Sequence, residues 1–430
     1  MQERWPRRLR VLVVIEAALG LVALVAGTTG GAGAADPSLA LNYGVVAGLT
    51  GDSATAGQLW NESTRIAIAY VNRTLGQLGL ADRIRVALVD SQDSQGKPAE
   101  GIEAARKLVD IDKVHVVMGD IFSSVTAAVA ASVTIPARVV QFTGGTNASL
   151  TQLNPANSPT FLWQPPGADD LQGQVLAQVI GEALGPSARV NVAARNDAYG
   201  AGLADQFKKA WTARGGDVPK YVIYNHTQPT LDSEAQQLVE GAPDGWLLID
   251  FCPTFAKLLA PLQRTGRWDP SRSFGSDTLR NCSASGYRNV PGMRATGANV
   301  SSGTSLPAYE KLYRANAKPG LDFQAWTAEA FDSVLIAFLA ALAAKSPDPA
   351  TFSPHIAALT NPPGKVFAFE QLDQAIRATL AGEKVQYSGV SGPLNFTSRG
   401  RAGTAAFDVY QVQPDATSRV VKTIFFNAGR

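Results

Sequence analysis

The sequence predicts an α/β protein of two Rossmann-like lobes, each built on a parallel sheet and joined by three hinge crossings. That expectation rests on three features of the chain. Short apolar strand patterns alternate with helical ones, the alternation runs in two separate series, and segments rich in Pro and Gly lie between the series. At 430 residues with 45% hydrophobic content, the chain is long enough for two or three domains of ordinary size.

The first series opens with a strand at 41–49, a helix from about 57 to 78, a strand at 83–90 and a helix at 98–110, each read from its apolar period. Residues 114–118 form the next short strand, 119–124 a turn rich in hydroxyls and 125–133 an Ala/Val helix. A strand at 138–142 follows, ending in the small polar turn Thr143-Gly144-Gly145-Thr146-Asn147. In a parallel sheet both turns lie at the carboxyl edge, where open α/β folds bind ligands. Ser123 and Ser124 stand at a helix N-cap, where free N–H groups and the helix dipole favour a carboxylate or phosphate. Gly144 and Gly145 let a ligand approach the backbone, and Thr146 offers an N–H and a hydroxyl. The competing reading is that both are ordinary strand-to-helix turns.

The second series comprises a strand at 189–195, a helix at 200–214, a strand at 221–224, a helix near 233–239 and a strand at 245–251. Crossings between lobes fall at 154–170, at 295–305 and near Gly403, after a late β-element that begins around 388. These crossings divide the chain into lobe one, 36–163 and 299–403, and lobe two, 164–298 and 404–430. Lobes tied in this way open and close as rigid bodies around a cleft. No short-period repeat occurs, which excludes a solenoid.

Residues 1–35 read as an export signal: basic Arg4, Arg7, Arg8 and Arg10, an apolar run, then small residues to Ala35. An uncleaved anchor is the alternative, because Glu16 interrupts the apolar run. The residues following Arg7-Arg8 match a twin-arginine signal poorly. The apolar segment 331–344, interrupted only by Asp332, is too short to span a bilayer and reads as a buried core helix. Lys+Arg 38 nearly balances Asp+Glu 36, and much of the basic excess sits in the leader, so nothing points to nucleic acid. The two cysteines, Cys252 and Cys282, read as a disulfide in an exported chain, with two free buried thiols as the alternative. The three histidines are scattered and never at metal-ligand spacing, so neither metal nor cofactor is expected.

Six segments carry a family resemblance: "GLTGDSATAG" at 48–57, "MGDIFSSVTAAVA" at 118–130, "GGTNASLT" at 144–151, "NDAYGAGLADQFKKA" at 196–210, "DGWLLIDFCP" at 244–253 and "FGSDTL" at 274–279. In this order they resemble the type I periplasmic binding proteins, specifically the leucine/isoleucine/valine-binding group that delivers ligand to ABC importers. The resemblance covers essentially everything after the leader. It implies that Ser123 and the turn Gly144, Gly145 and Thr146 hold a ligand carboxylate, while the Gly144 carbonyl meets an ammonium. Tyr199 falls where the family places an aromatic facing the ligand, and Asp277 where an acid pairs with the α-amino group. The sequence departs from the group at three places. Phe251 stands for a common tyrosine, Ala56 for another aromatic, and Phe122 for a cysteine of the family's lobe-one disulfide.

The function expected is therefore non-catalytic: capture of a small carboxylate-bearing ligand, an amino acid or relative, and delivery to the membrane subunits of an ABC transporter. A subunit that presents ligand to a membrane receptor is an alternative with the same cleft. A secreted hydrolase or amidase is the other, weakened by the lack of a Gly-x-Ser-x-Gly elbow or an evident Ser–His pair.

Overall fold

The computed structural model describes residues 39–51, 54–282, 287–298, 304–324 and 326–427, so the leader expected at 1–35 lies outside the described residues. The first sheet contains β1 (Leu39–Ala47), β2 (Ile84–Asp93), β3 (Val116–Met118), β4 (Val140–Phe142) and β5 (Leu162–Trp163), all parallel, in the order β2-β1-β3-β4-β5. Its central strands are apolar without alternation because both faces are covered. Val116 and Met118 enter one core, while Val117 enters the other, against Leu108, Val125 and Val129.

The second sheet repeats this plan with β6 (Val190–Arg195), β7 (Tyr221–Tyr224), β8 (Gly245–Ile249), β9 (Ser273–Gly275) and β10 (Arg294–Ala298). A short parallel pair, β11 (Lys365–Ala368) and β12 (Val385–Ser388), stands apart. The hairpin β13 (Thr404–Val412) and β14 (Ser418–Asn427) then extends the second sheet antiparallel, in the order β14-β13-β10-β9-β8-β6-β7. The parallel portion, β7-β6-β8-β9-β10, has the same order as the first sheet. Each sheet thus reverses direction once, between β1 and β3 and between β6 and β8, and open α/β sheets bind ligands at the carboxyl side of that switch.

Among the described residues, the helices of the two βα series are α1 (Ala54–Gln77), α2 (Pro98–Arg106), α3 (Ser123–Val129), α4 (Asp169–Leu184), α5 (Ala198–Ala213), α6 (Asp232–Leu238) and α7 (Cys252–Arg264). Between β10 and β13 the chain adds α8 (Leu306–Asn316), α9 (Trp326–Ala344), α10 (Pro349–Thr360) and α11 (Leu372–Leu380), whose buried residues join the first sheet's larger core. Within α9 the apolar stretch Thr327–Ala344 is 18 residues, longer than the segment read from sequence and long enough to cross a bilayer. It is nevertheless a core helix, with 89% of that window buried. Its interrupting Asp332 is satisfied, accepting from the Tyr387 hydroxyl at 2.6 Å and from the N–H groups of Val390 and Ser391 at 2.9 and 2.8 Å.

The chain passes between sheets after β5, after β10 and before β13. The first and third passages run side by side: Gln164 N–H donates to the Gly400 carbonyl at 2.7 Å, and Ala402 N–H to the Gln164 carbonyl at 3.0 Å. Arg401 and Asp170 add an ion pair at 2.5 Å.

Candidate functional site

Lobe one contributes the two turns that follow β3 and β4. After β3, Gly119 has φ +116°, and a Cβ there would collide with the Val46 carbonyl, so only glycine makes this exit. The next residue, Asp120, is fully buried and accepts from Phe122 N–H at 2.8 Å and from the Ser94 hydroxyl. That bond fixes Phe122 as the N-cap of α3 and corrects the sequence reading: Ser123 and Ser124 are the first two helical residues, not caps. Ser123, 1% exposed, accepts instead from Asn147 N–H of the second turn at 3.2 Å. Ser124 is half-buried, and no side-chain bond ties it to the second turn among the described residues.

The second turn is held from beneath by hydroxyls. Thr143 Oγ1 donates to the Asp120 carbonyl at 2.7 Å and accepts from Gly145 N–H at 2.8 Å, while Gly144 N–H reaches the same carbonyl at 3.1 Å. Both glycines sit in close packing. A Cβ on Gly144 would press on Ile121 and Trp60 at 3.0 and 3.1 Å, and one on Gly145 on Thr143 and Ser123. Gln164 completes the support, its amide N–H donating to the carbonyls of Gly145 and Asn147 at 2.9 and 3.1 Å.

Lobe two presents the ends of β6, β8 and β9. Asp197 caps α5 by accepting from Gly200 N–H at 2.8 Å, which sets Tyr199 in the first turn with its ring buried. The Tyr199 hydroxyl donates to Asp277 Oδ1 at 2.5 Å, and the Gln172 amide donates to the same oxygen at 3.1 Å. Burial raises the pKa of Asp277, and these donors oppose the rise. Phe251 caps α7, its ring 5.4 Å from Tyr199 and with the Arg195 guanidinium stacked over it at 4.2 Å. Directly behind it Cys252 is disulfide-bonded to Cys282, with Cα atoms 5.3 Å apart.

The two faces meet. Asn147 Nδ2 donates to the Ala198 carbonyl at 2.5 Å, and the rings of Phe122 and Phe251 lie 5.2 Å apart. Ser123 and Thr146 thus lie at the carboxyl edge of the first sheet and Tyr199, Phe251 and Asp277 at that of the second, and these contacts join the two edges. Ala56 is half-buried on α1.

Sequence reasoning missed three residues here: Gln164, Gln172 and Asp169. Asp169 is fully buried, and its backbone N–H donates to the Thr146 carbonyl at 2.8 Å. Burial, and next the charge of Asp277, push its pKa well up; the Thr146 hydroxyl beside it opposes the rise. The Asp169-Asp170 pair opening an apolar helical pattern was a legible helix start. Which of the two acids turns inward was not legible.

A family model described as periplasmic binding protein matches residues 41–418. The Leu/Ile/Val-binding protein BraC3 of Rhizobium johnstonii is 28% identical over 175 residues, 41% of this chain; the chain thus spans about half the length of this curated relative, 45%. Among solved structures, the leucine-binding protein LivK of Thermotoga maritima superposes with a TM-score of 0.71 at 19% identity, covering 89% of this chain and 98% of that one. LivJ of Streptococcus pneumoniae, in complex with isoleucine, gives 0.67 at 17% identity over 90% and 99%. A solute-binding protein of an ABC transporter from R. palustris, in complex with 4-hydroxybenzoate, gives 0.70 at 16% identity over 90% and 97%. The chain belongs to the periplasmic binding protein family, and its fold is that of the type I members.

Proposed function

We propose that this periplasmic binding protein is an extracytoplasmic receptor that captures a small carboxylate-bearing ligand between its lobes and delivers it to the membrane subunits of an ABC importer. The observation that carries the reading is the facing of two topological switch points. Hydroxyls and turn N–H groups border the cleft from lobe one, and a buried acid with two aromatic rings borders it from lobe two. The lobes are 36–163 with 299–403 and 164–298 with 404–430, and 1–35 serve as the export signal. Ser123, Thr146 and the turn at Gly144 and Gly145, with Ser124 at the helix start, receive the ligand carboxylate. Tyr199 and Phe251 wall the side chain, and Asp277 takes the amino group. A binding site of this kind transfers no group, so the protein is not an enzyme.

A second reading is favoured by the three rings, Phe122, Phe251 and Tyr199, whose successive centroids are 5.2 and 5.4 Å apart: an aromatic carboxylate as ligand. The relative bound to 4-hydroxybenzoate supports it, as the isoleucine-bound relative supports the first. A thermal-shift screen of amino acids, short amides and aromatic acids separates them, since ligand at 100 times its Kd stabilises a protein by about 2.7 kcal/mol. No shift with any member of the panel refutes capture of such ligands.

A further inference from the structure

We infer that Asn147 and Gly202 form a steric stop, a finger and its notch, that sets how closely the two sheet edges approach and so how tightly the protein holds its ligand. The spacing stands on the contact itself; its effect on affinity rests on the receptor reading above.

Asn147 ends the turn after β4 and is tied to that edge on every side but one. Its N–H donates to Ser123 Oγ at 3.2 Å, and its carbonyl accepts from the Gln164 amide at 3.1 Å. Its Oδ1 accepts from the Ser149 N–H at 2.8 Å and from the Ser149 hydroxyl at 2.6 Å. With Oδ1 committed as the acceptor, Nδ2 is left as the donor, and it reaches the Ala198 carbonyl on the other edge at 2.5 Å.

Ala198 opens α5, and the room for the finger there comes from Gly202. A Cβ at Gly202 would stand 2.3 Å from Asn147 Nδ2 and 3.4 Å from its Cγ. The end of a side chain ordinarily swings aside from such an approach. This one is pinned at Oδ1 by two donors, so moving it costs those bonds as well as the one to Ala198. The backbone gives no reason for the glycine. Gly202 lies inside α5 and is not among the glycines with positive φ, and alanine is the more stable residue in a helix interior. The space taken by Asn147 accounts for it.

Thr146 precedes the finger by one residue, and Tyr199 follows Ala198 by one; both are assigned above to the ligand. The stop therefore gauges the distance between ligand groups on the two edges. A methyl at position 202 wedges the edges apart, and apparent affinity falls with the population of the binding-competent spacing. Because neither Asn147 nor Gly202 is assigned to the ligand, every ligand is weakened alike.

Melting and calorimetric titration of the full chain carrying Gly202→Ala, Asn147→Ala or both test this. In the wild-type background, Gly202→Ala should lower the melting temperature. In the Asn147→Ala background the same substitution should raise it, because only the helix preference for alanine remains. A rise in both backgrounds, or equal falls in both, overturns the inference. With L-isoleucine and 4-hydroxybenzoate as probes, Gly202→Ala should weaken whichever binds by about 10-fold, and adding Asn147→Ala should restore most of the loss. Affinity unchanged by Gly202→Ala also overturns the inference. Heat from neither probe at millimolar concentration counts against the receptor reading, whereas the reversal of sign in melting still supports the stop and its absence still refutes it.

Discussion

The turns after β3 and β8 occupy the same place in the same strand order, and they differ in what they offer. Each begins with a buried aspartate, Asp120 or Asp250, whose Oδ1 accepts a nearby N–H, from Phe122 and Phe251 respectively, both at 2.8 Å. Each then delivers a phenylalanine as the N-cap of the next helix, and the two rings meet, their centroids 5.2 Å apart. Beyond that point the lobes diverge. Lobe one continues with Ser123 and the hydroxyl-lined turn at Thr143 to Asn147, one wall of the proposed site. Lobe two continues with Cys252, tied to Cys282, and with acids and aromatics, the other wall. In the function proposed above, the shared topology determines where a ligand goes, and the side chains that the topology leaves free determine which end of the ligand faces which wall.

Five experiments test the contrast, and the largest effect belongs to the Cys252–Cys282 bridge of lobe two. In the chain-entropy model, losing a disulfide that closes a 30-residue loop costs about 3–4 kcal/mol, so Cys252→Ser with Cys282→Ser should lower the denaturation midpoint accordingly. An unchanged midpoint would mean that lobe two needs its bridge no more than lobe one needs one at Phe122. Next come the two walls. A hydrogen bond to a charged group is worth about 1.5–3 kcal/mol, so Thr146→Ala should weaken any carboxylate ligand about 10- to 100-fold. By contrast, Asp277→Asn should penalise L-isoleucine and spare 3-methylpentanoate. Equal losses for both ligands in calorimetry would show that Asp277 supports the fold and not the amino group.

A smaller effect tests the contact between the walls. In a double-mutant cycle of Phe122→Ala and Phe251→Ala, the two losses of stability should couple by about 0.5–1.5 kcal/mol. Additive losses would show that the rings do not meet in solution.

The subtlest test concerns the paired aspartates. Burial raises Asp120 from the ordinary 3.8 to about 6 and Asp250 to about 7, so the folded protein holds these protons more tightly than the unfolded chain does. Their contribution is fully present below about pH 4 and is lost as pH rises through 6 and 7. The melting temperature should therefore fall between pH 5 and pH 8, and Asp250→Asn should flatten the fall more than Asp120→Asn. A melting temperature rising over that range would place both carboxylates in solvated surroundings.

Much of this architecture was legible because strand and helix periods are local. The apolar runs around Val116, Val140, Val190 and Leu247 read as buried parallel strands from their own residues. The turns between them read as ligand-side turns once the sheet was taken as parallel. Element ends shifted where a long-range bond intervened. The start of α3 moved to Ser123 because Asp120 captures Phe122 N–H, and α9 was longer than the apolar run that announced it.

What the sequence by itself determined is the alternation, the two series, the crossings and the residue types at each carboxyl edge, all properties of short stretches of chain. Tertiary structure decided the rest. It showed that an 18-residue apolar helix is a core element, because its neighbours cover it. It turned Gly144 and Gly145 toward Trp60 and Ser123, so that packing accounts for them. It also separated Asp169 from Asp170. Adjacent in sequence and alike in chemistry, one meets Arg401 from a distant crossing and the other is buried against the Thr146 turn. A carboxylate's role is set by which charges and dipoles surround it, and in this fold those come from residues hundreds of positions away.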